Sequence, residues 1–342
     1  MTTGIDTVNH PAARILLAQT RAVCAPVLHE SVESLPEPMR RMAGYHFGWW
    51  DAVGAPVNAD RGKSLRPALT VGTAIAYGST PAEAAPVAAA IELAHNSTLI
   101  HDDVIDGDQT RRGRTTVWRV WGTADAIQLG DALHALAIRV LTRRPTRWTS
   151  EAVDRLETAL IEVCRGQSED CAFETRAQIA VDEYVRMAMG KTGALTGCAC
   201  ALGALSAGAS PTAVAALDRF GHQVGLGFQF VDDLLGIWGE EATTGKPAGN
   251  DLARRKQSLP VVAALASDTA AAVELAGLYR SKLPMTAADV HRAATLIEAA
   301  GARESTARHA EQHLAAAIAA LPGTPRWDDL IALGHTMIRR NR

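Results

Sequence analysis

Helix-starting signals recur along this chain while strand signals are all but missing, and that asymmetry narrows the possible folds more than any other feature. No Asn-Gly pair sits between alternating apolar runs, and no cluster of β-branched residues reaches sheet length. Thr80-Pro81-Ala82-Glu83 instead has capping-box spacing, with proline at the first helical position. Ser210-Pro211 repeats the Ser-Pro start, and Gly301, Pro322 and Gly323 interrupt the later runs. Between these breaks the pattern predicts helices over 11–30, 36–50, 64–77, 82–105, 124–142, 149–187, 189–207, 211–238, 257–266, 269–281, 286–300, 303–320 and 326–340. Aromatics are only 5% and alanine is abundant, a balance that favours helix because alanine loses no side-chain entropy on entering one. No Gly/Ser-rich or charged linker divides the 342 residues. The expectation is one all-α domain over 1–342, with 1–10 loose.

Charge and cysteine usage remove several function classes. A net charge of -3 gives no basic footprint for nucleic acid. Gly193 to Leu217 carries no charge, yet it is rich in Gly, Ala and Ser and broken at Ser210-Pro211. It reads as a buried helix followed by a turn, not a membrane span. The first thirty residues hold several charges and no sustained apolar core, so no secretory signal is read there. Cys24, Cys164, Cys171, Cys198 and Cys200 form no CxxC pair and are odd in number, as expected of reduced thiols in a cytoplasmic protein.

Two carboxylate clusters carry the chemistry. The first is Asp102-Asp103-Val-Ile-Asp106, with Asp108 beyond it, at the end of the long helix that begins near Pro81. Asp102 and Asp106 are four apart and share a helix face, to which His95 returns about two turns earlier. Acids so crowded repel one another, and a divalent cation is the natural remedy; an all-oxygen donor set suits Mg²⁺ shared with substrate phosphates. Arg111-Arg112-Gly-Arg114 follows at once, and acid beside base suits a phosphate held by both metal and guanidinium. The second cluster, Gln229-Phe-Val-Asp232-Asp233, lies inside a long apolar helical pattern, where such a pair is costly unless it faces a cavity or a metal. Lys63 and Arg66 sit near a helix start and form a candidate diphosphate cradle. Gly190-Lys191-Thr192-Gly193 adds a lysine and a hydroxyl without the first glycine of a P-loop. Lys246 and the run Arg254-Arg255-Lys256 give a basic loop after the second acidic helix.

The ordered set K-x-x-R-P, His with DDxxD seven on, RRGR, GKTG, FQxxDD and GKP, spread over about residues 60–260, resembles the trans-isoprenyl diphosphate synthases, also called polyprenyl synthetases. That resemblance implies an all-α bundle of the isoprenoid synthase type around a deep central cavity, usually as a homodimer. It implies that isopentenyl diphosphate is joined 1'-4 to an allylic diphosphate by ionisation, condensation and elimination. Lys63, Arg66, His95 and Arg112 would then hold isopentenyl diphosphate. Asp102, Asp106 and Asp232, with Asp103 and Asp233 beside them, would carry three Mg²⁺ ions. Arg111, Lys191, Lys246 and Lys256 would grip the allylic diphosphate, while Thr192 and Gln229 line the reacting carbons. Gly236 departs from the pattern, standing where the family often has an aspartate. Related short-chain enzymes often put an aromatic floor five and four residues before the first acid; Ser97 and Thr98 are small, and a geranylgeranyl or longer product is expected. Two alternatives stay open: a terpene cyclase on the same scaffold, which would not need the Lys63, Arg66 and His95 cradle, and a non-catalytic partner subunit, which the Gly236 departure keeps in play.

Overall fold

The computed structural model describes residues 10–57, 59, 62–176, 178–240, 248–281 and 283–339. The chain is all-α. Ten helices build the part that carries the site: α1 (Pro11–Glu33), α2 (Met39–His46), α3 (Leu65–Ala76), α4 (Pro81–Ile105), α5 (Val117–Trp121), α6 (Thr123–Thr142), α7 (Thr149–Phe173), α8 (Val181–Ala188), α9 (Ala194–Ser206) and α10 (Pro211–Trp238). A π-helical turn, Met189–Gly193, joins α8 to α9. Further helices at Asn250–Ala253, Leu259–Leu265, Ala270–Arg280, Ala287–Ala299, Ala302–Ala320 and Asp328–Ile338 complete the bundle.

The predicted caps form as read. Thr80 and Glu83 exchange both capping-box bonds, and the Ser210 hydroxyl accepts from the Ala213 amide. The uncharged stretch becomes α9, which is buried from Ala194 through Ala204 and lies between two apolar cores. One core joins α1, α3, α10, Ala302–Ala320 and Asp328–Ile338; the other joins α2, α4, α6 and α7. Glycines let α9 and α10 close up. A Cβ on Gly221 would stand 2.4 Å from the Thr196 carbonyl oxygen, and one on Gly225 would stand 2.9 Å from the Gly193 α-carbon. Among the described residues no single helix is long and apolar enough to cross a membrane.

Three local expectations need correction. The helix expected over 149–187 is two helices, α7 and α8. No Gly or Pro marks the break; Gln257, distant in sequence, donates to the carbonyls of Phe173 (3.4 Å) and Arg176 (2.6 Å) and so stops α7. Glu183 then restarts the chain, accepting from the Ala180 amide (2.9 Å) and pairing with Arg176. The helix expected over 36–50 is only Met39–His46. A short hairpin also appears where none was expected, with Thr110–Arg111 antiparallel to Arg114–Thr115. Its turn residues, Arg112 (φ 52) and Gly113 (φ 70), are both left-handed, the geometry that matches the twist of a two-residue hairpin.

Candidate active site

A cavity of about 550 Å³ opens between the start of α3, the face of α4, the hairpin, α7, the π turn, α9 and α10. Most of the residues singled out in the sequence converge on it. Lys63 and Arg66 enter from the α3 end; His95, Thr98 and Asp102 come from α4; Arg111 and Arg112 come from the hairpin; Lys191 and Thr192 come from the π turn; Gln229 and Asp232 come from α10. The two acidic walls expected from spacing therefore face one space, and Arg66 lies in the field of both Asp102 and Asp232. Leu65, Leu99, Val163, Leu195 and Phe228 supply an apolar lining.

Local structure explains how each group is aimed. Asp102 sits in the last turn of α4, where the unpaired helix carbonyls add negative potential to its own. Burial raises its pKa and Asp106 pushes the same way, while Lys191 opposes both. Lys191 stands on a π turn, a local widening that often marks a functional position. Its Nζ donates to Asp170 at 2.6 Å, and Gly166 makes room, since a Cβ there would lie 2.3 Å from the Lys191 amide nitrogen. Arg112 takes its left-handed conformation over Gly62, where a Cβ would meet the guanidinium at 2.8 Å. A non-glycine residue with positive φ beside a cavity is strain of the kind found at binding sites. Arg114 serves the scaffold: it donates to the carbonyls of Tyr45 (2.7 Å) and Trp50 (2.9 Å) and pins the hairpin to α2.

Donor rules place the ring proton of His95 and orient the Gln229 amide. Arg66 can only donate, so the 3.1 Å contact from its Nη1 makes His95 Nε2 an acceptor and leaves the ring proton on Nδ1. Burial, with Arg66 and Arg112 behind it, keeps the His95 pKa well below the usual range, so the ring is neutral. On the opposite wall, Thr192 donates to Gln229 Oε1 (2.7 Å), and Gln229 Nε2 donates to Asp233 Oδ1 (3.0 Å). This relay fixes the Gln229 amide and commits the Thr192 hydroxyl proton, so that the oxygen of this cavity-lining residue remains available only as an acceptor.

Not every candidate reaches the cavity. Asp103 turns into the protein and accepts from Arg111 Nε at 2.7 Å, burial raising its pKa to about 6. Asp233 is also buried, accepting from the Leu259 amide (2.8 Å), from Gln229 and from the Tyr184 hydroxyl. Both act as anchors, because the second acid of each pair projects about 100° away from the first on its helix. Asp106 caps α4 just beyond the lining and accepts from Gln167 at 3.3 Å. Ser97 is buried with its hydroxyl on the Ala94 carbonyl, leaving Thr98 as the one of the pair that lines the cavity. Lys256 lies nearby: burial works against its charge, but Asp170, Asp251, Asp233 and Asp106 outweigh it and raise its pKa. Lys246 falls outside the described residues.

Sequence reasoning missed Glu92 and Asp170. Glu92 lines the cavity three residues before His95, and burial raises its pKa against the pull of Arg112 and Arg66. An acid inside the apolar run from Val87 to Ala94, three residues before His95, was a usable signal. Burial disfavours the Asp170 charge, yet Lys256 and Lys191 more than offset this and hold its pKa below the usual range. Asp170 had no such marker, because α7 is charged along much of its length.

The sequence matches the polyprenyl synthetase family over residues 50–297. The chain belongs to that family. This member is 54% identical to a geranylgeranyl diphosphate synthase of Mycobacterium tuberculosis over 96% of its own length and 94% of that protein. It is 42% identical to a (2E,6E)-farnesyl diphosphate synthase of Mycobacterium bovis over 87% of this chain and 84% of that one. A polyprenyl synthetase from Streptomyces coelicolor A3(2) superposes with a TM-score of 0.92 at 42% identity, covering 95% and 99% of the two chains. The polyprenyl synthetase described here is thus a transferase that elongates prenyl chains.

Proposed function

We propose that this synthetase joins isopentenyl diphosphate to an allylic diphosphate with Mg²⁺ as cofactor and releases a geranylgeranyl-length product. The reading is carried by one observation: a single cavity has acids on two opposing helices, cations in two groups, and an apolar lining. Lys63, Arg66, His95 and Arg112 form the cationic group for isopentenyl diphosphate. Lys191 and Arg111 form the group for the allylic diphosphate, with Lys256 near the cavity but not on its lining.

The donor set suits the metal. Among the described residues no three His, Cys, Asp or Glu side chains converge into a ready-made metal cage. Mg²⁺ accepts such a site, since it is usually bound by one or two carboxylates with the remaining positions left to water and phosphate oxygens. Asp102, Asp106 and Asp232 would hold up to three ions. When bound, Mg²⁺ supplies positive charge to the departing diphosphate as the allylic C–O bond breaks.

The chain's own groups do the rest. Lys191 meets the leaving diphosphate as a point charge, and Arg111 is kept in line by Asp103. The Thr192 oxygen, its proton committed to Gln229, is available as an acceptor to the developing allylic cation. Leu99, Val163, Leu195 and Phe228 keep water from that cation. Neutral His95 offers an Nδ1–H to the second diphosphate without adding a buried charge beside Arg66. The isopentenyl double bond then attacks, and a proton leaves the new chain to the released diphosphate.

Two further parts of the reading rest on lesser observations. A homodimer would cover exposed Ile127 on α6 and Ile161 on α7. The free state of all five cysteines accords with a cytoplasmic setting. Incubation with Mg²⁺, isopentenyl diphosphate and each allylic primer in turn, with product masses measured, tests the main claim. A C20 diphosphate is expected; a product that stops at C15 refutes the length, and turnover without isopentenyl diphosphate refutes the reaction.

A further inference from the structure

The basic run after α10 contains a residue that the proposed chemistry leaves unused. Arg254 follows the short turn Asn250–Ala253 and lies 146 residues beyond Asp108, yet its guanidinium closes on the end of α4. Nη1 donates to Asp108 Oδ1 at 2.7 Å, and Nη2 donates to the Asp106 carbonyl at 2.7 Å. Arginine can only donate, and its planar fork suits two acceptors held side by side. One acceptor is the carbonyl of the residue that caps α4, for which the helix supplies no partner. The other is a fixed post. The Asp108 carbonyl accepts from Trp118 Nε1 (2.8 Å) and from the Thr116 hydroxyl (2.8 Å), and its amide donates to the Asp103 carbonyl at 3.0 Å.

Three residues after Arg254, Gln257 donates to the carbonyls of Phe173 and Arg176 at the end of α7. The segment 254–257 is thus fastened to α4 at one end and to α7 at the other. Asp102, Asp103, Asp106 and Asp108 crowd the end of α4, where the helix dipole is also negative, so a cation brought there relieves a repulsion that the helix cannot. Asp170, the partner of Lys191, lies in the field of the same guanidinium. With 43% of the Arg254 side chain exposed, the ion pair alone would contribute little to stability. The second bond, to the backbone of Asp106 itself, gives the contact a different use.

We propose that Arg254 is a positioning residue for the first acidic motif: anchored on Asp108, its fork holds the Asp106 carbonyl and so fixes where the Asp106 carboxylate meets Mg²⁺ and the allylic diphosphate. A lysine at 254 would bring the charge but could not span both acceptors in one plane. The inference rests on the proposed prenyl transfer for its assignment of Asp106 as a metal ligand; the two bonds do not.

The test titrates the full-length protein with Mg²⁺ and inorganic diphosphate by calorimetry, and adds KM values for both substrates and thermal melting without metal. Arg254→Gln removes both charge and fork. It is expected to weaken Mg²⁺–diphosphate binding roughly 10–100-fold, the usual cost of losing a group that orients a metal ligand. KM for the allylic substrate should rise with it, while that for isopentenyl diphosphate stays in place. Melting should remain near that of the parent, which a merely structural contact would not combine with a one-sided change in KM. Arg254→Lys should still bind more weakly than the parent. Asp108→Asn withdraws the anchor, and adding it to Arg254→Gln should cost no more than about twofold beyond that variant, because the two residues act as a unit. Parent-like binding by Arg254→Gln or Arg254→Lys, additive losses in the double variant, or equal rises in both KM values would each overturn the proposal. Should the parent bind Mg²⁺–diphosphate but condense nothing, the prenyl-transfer reading fails while the titrations still decide the role of Arg254.

Discussion

Asp103 belongs to the first acidic motif by sequence, yet the structure gives it a different partner, and replacing it separates the two roles. Its Oδ1 accepts from Arg111 Nε at 2.7 Å, with 3% of the Asp103 side chain and 27% of the Arg111 side chain exposed. Breaking a fully buried pair costs about 3–5 kcal/mol; the partly wet guanidinium lowers that to about 2 kcal/mol for Asp103→Ala. Asp103→Asn keeps a carbonyl acceptor for Arg111, so its loss should be about half as large. Urea unfolding at constant m-value measures both. Calorimetry with Mg²⁺ and inorganic diphosphate then reads the proposed metal site. Asp102→Asn should weaken binding by one to two orders of magnitude, as loss of a ligand does, whereas Asp103→Asn should change it only a few-fold. Equal losses in affinity from the two variants would refute the assignment of Asp103 as a partner of Arg111 alone.

Gly166→Ala places a Cβ 2.3 Å from the Lys191 backbone nitrogen, where no flexible side chain can yield. It should cost about 2–3 kcal/mol and lower kcat, and unchanged melting and turnover would contradict the packing described. Thr98→Phe fills the cavity below Asp102 and should shorten the product by at least one isoprene unit; an unaltered product mass would show that the tunnel runs elsewhere. His46 is held neutral by burial, with Arg112, Arg111 and Arg114 adding to the effect, its pKa lowered to about 3 while its ring bonds Asn96. The unfolded ring takes a proton near pH 6.5 and the folded one does not, so this group stabilises the fold above that pH and loses its contribution as pH falls toward 3. His46→Gln should make the fall in stability between pH 6.5 and 4 shallower by up to about 1.4 kcal/mol per pH unit. Denaturant titrations that give the same slope for both proteins would exclude it.

The all-α class, the caps at Thr80 and Ser210, the buried α9 and most of the polar side chains that line the cavity were legible in the sequence. These are properties of local spacing: a capping box needs only residues three apart, and a DDxxD repeat shares a face on any helix. Tertiary structure decided what local spacing cannot hold. It turned Asp103 and Asp233 inward as anchors, because the partners that await them, Arg111 and Tyr184, arrive from other elements. It ended α7 at Phe173 through a glutamine more than eighty residues away, and it brought Asp170 to Lys191. It also brought the Asp251 carboxylate to the bare α-carbon of Gly236, a meeting that no local spacing foretells. A helix fixes the direction of a side chain, but whether that direction meets a cavity, a guanidinium or another carboxylate depends on packing between segments far apart in sequence.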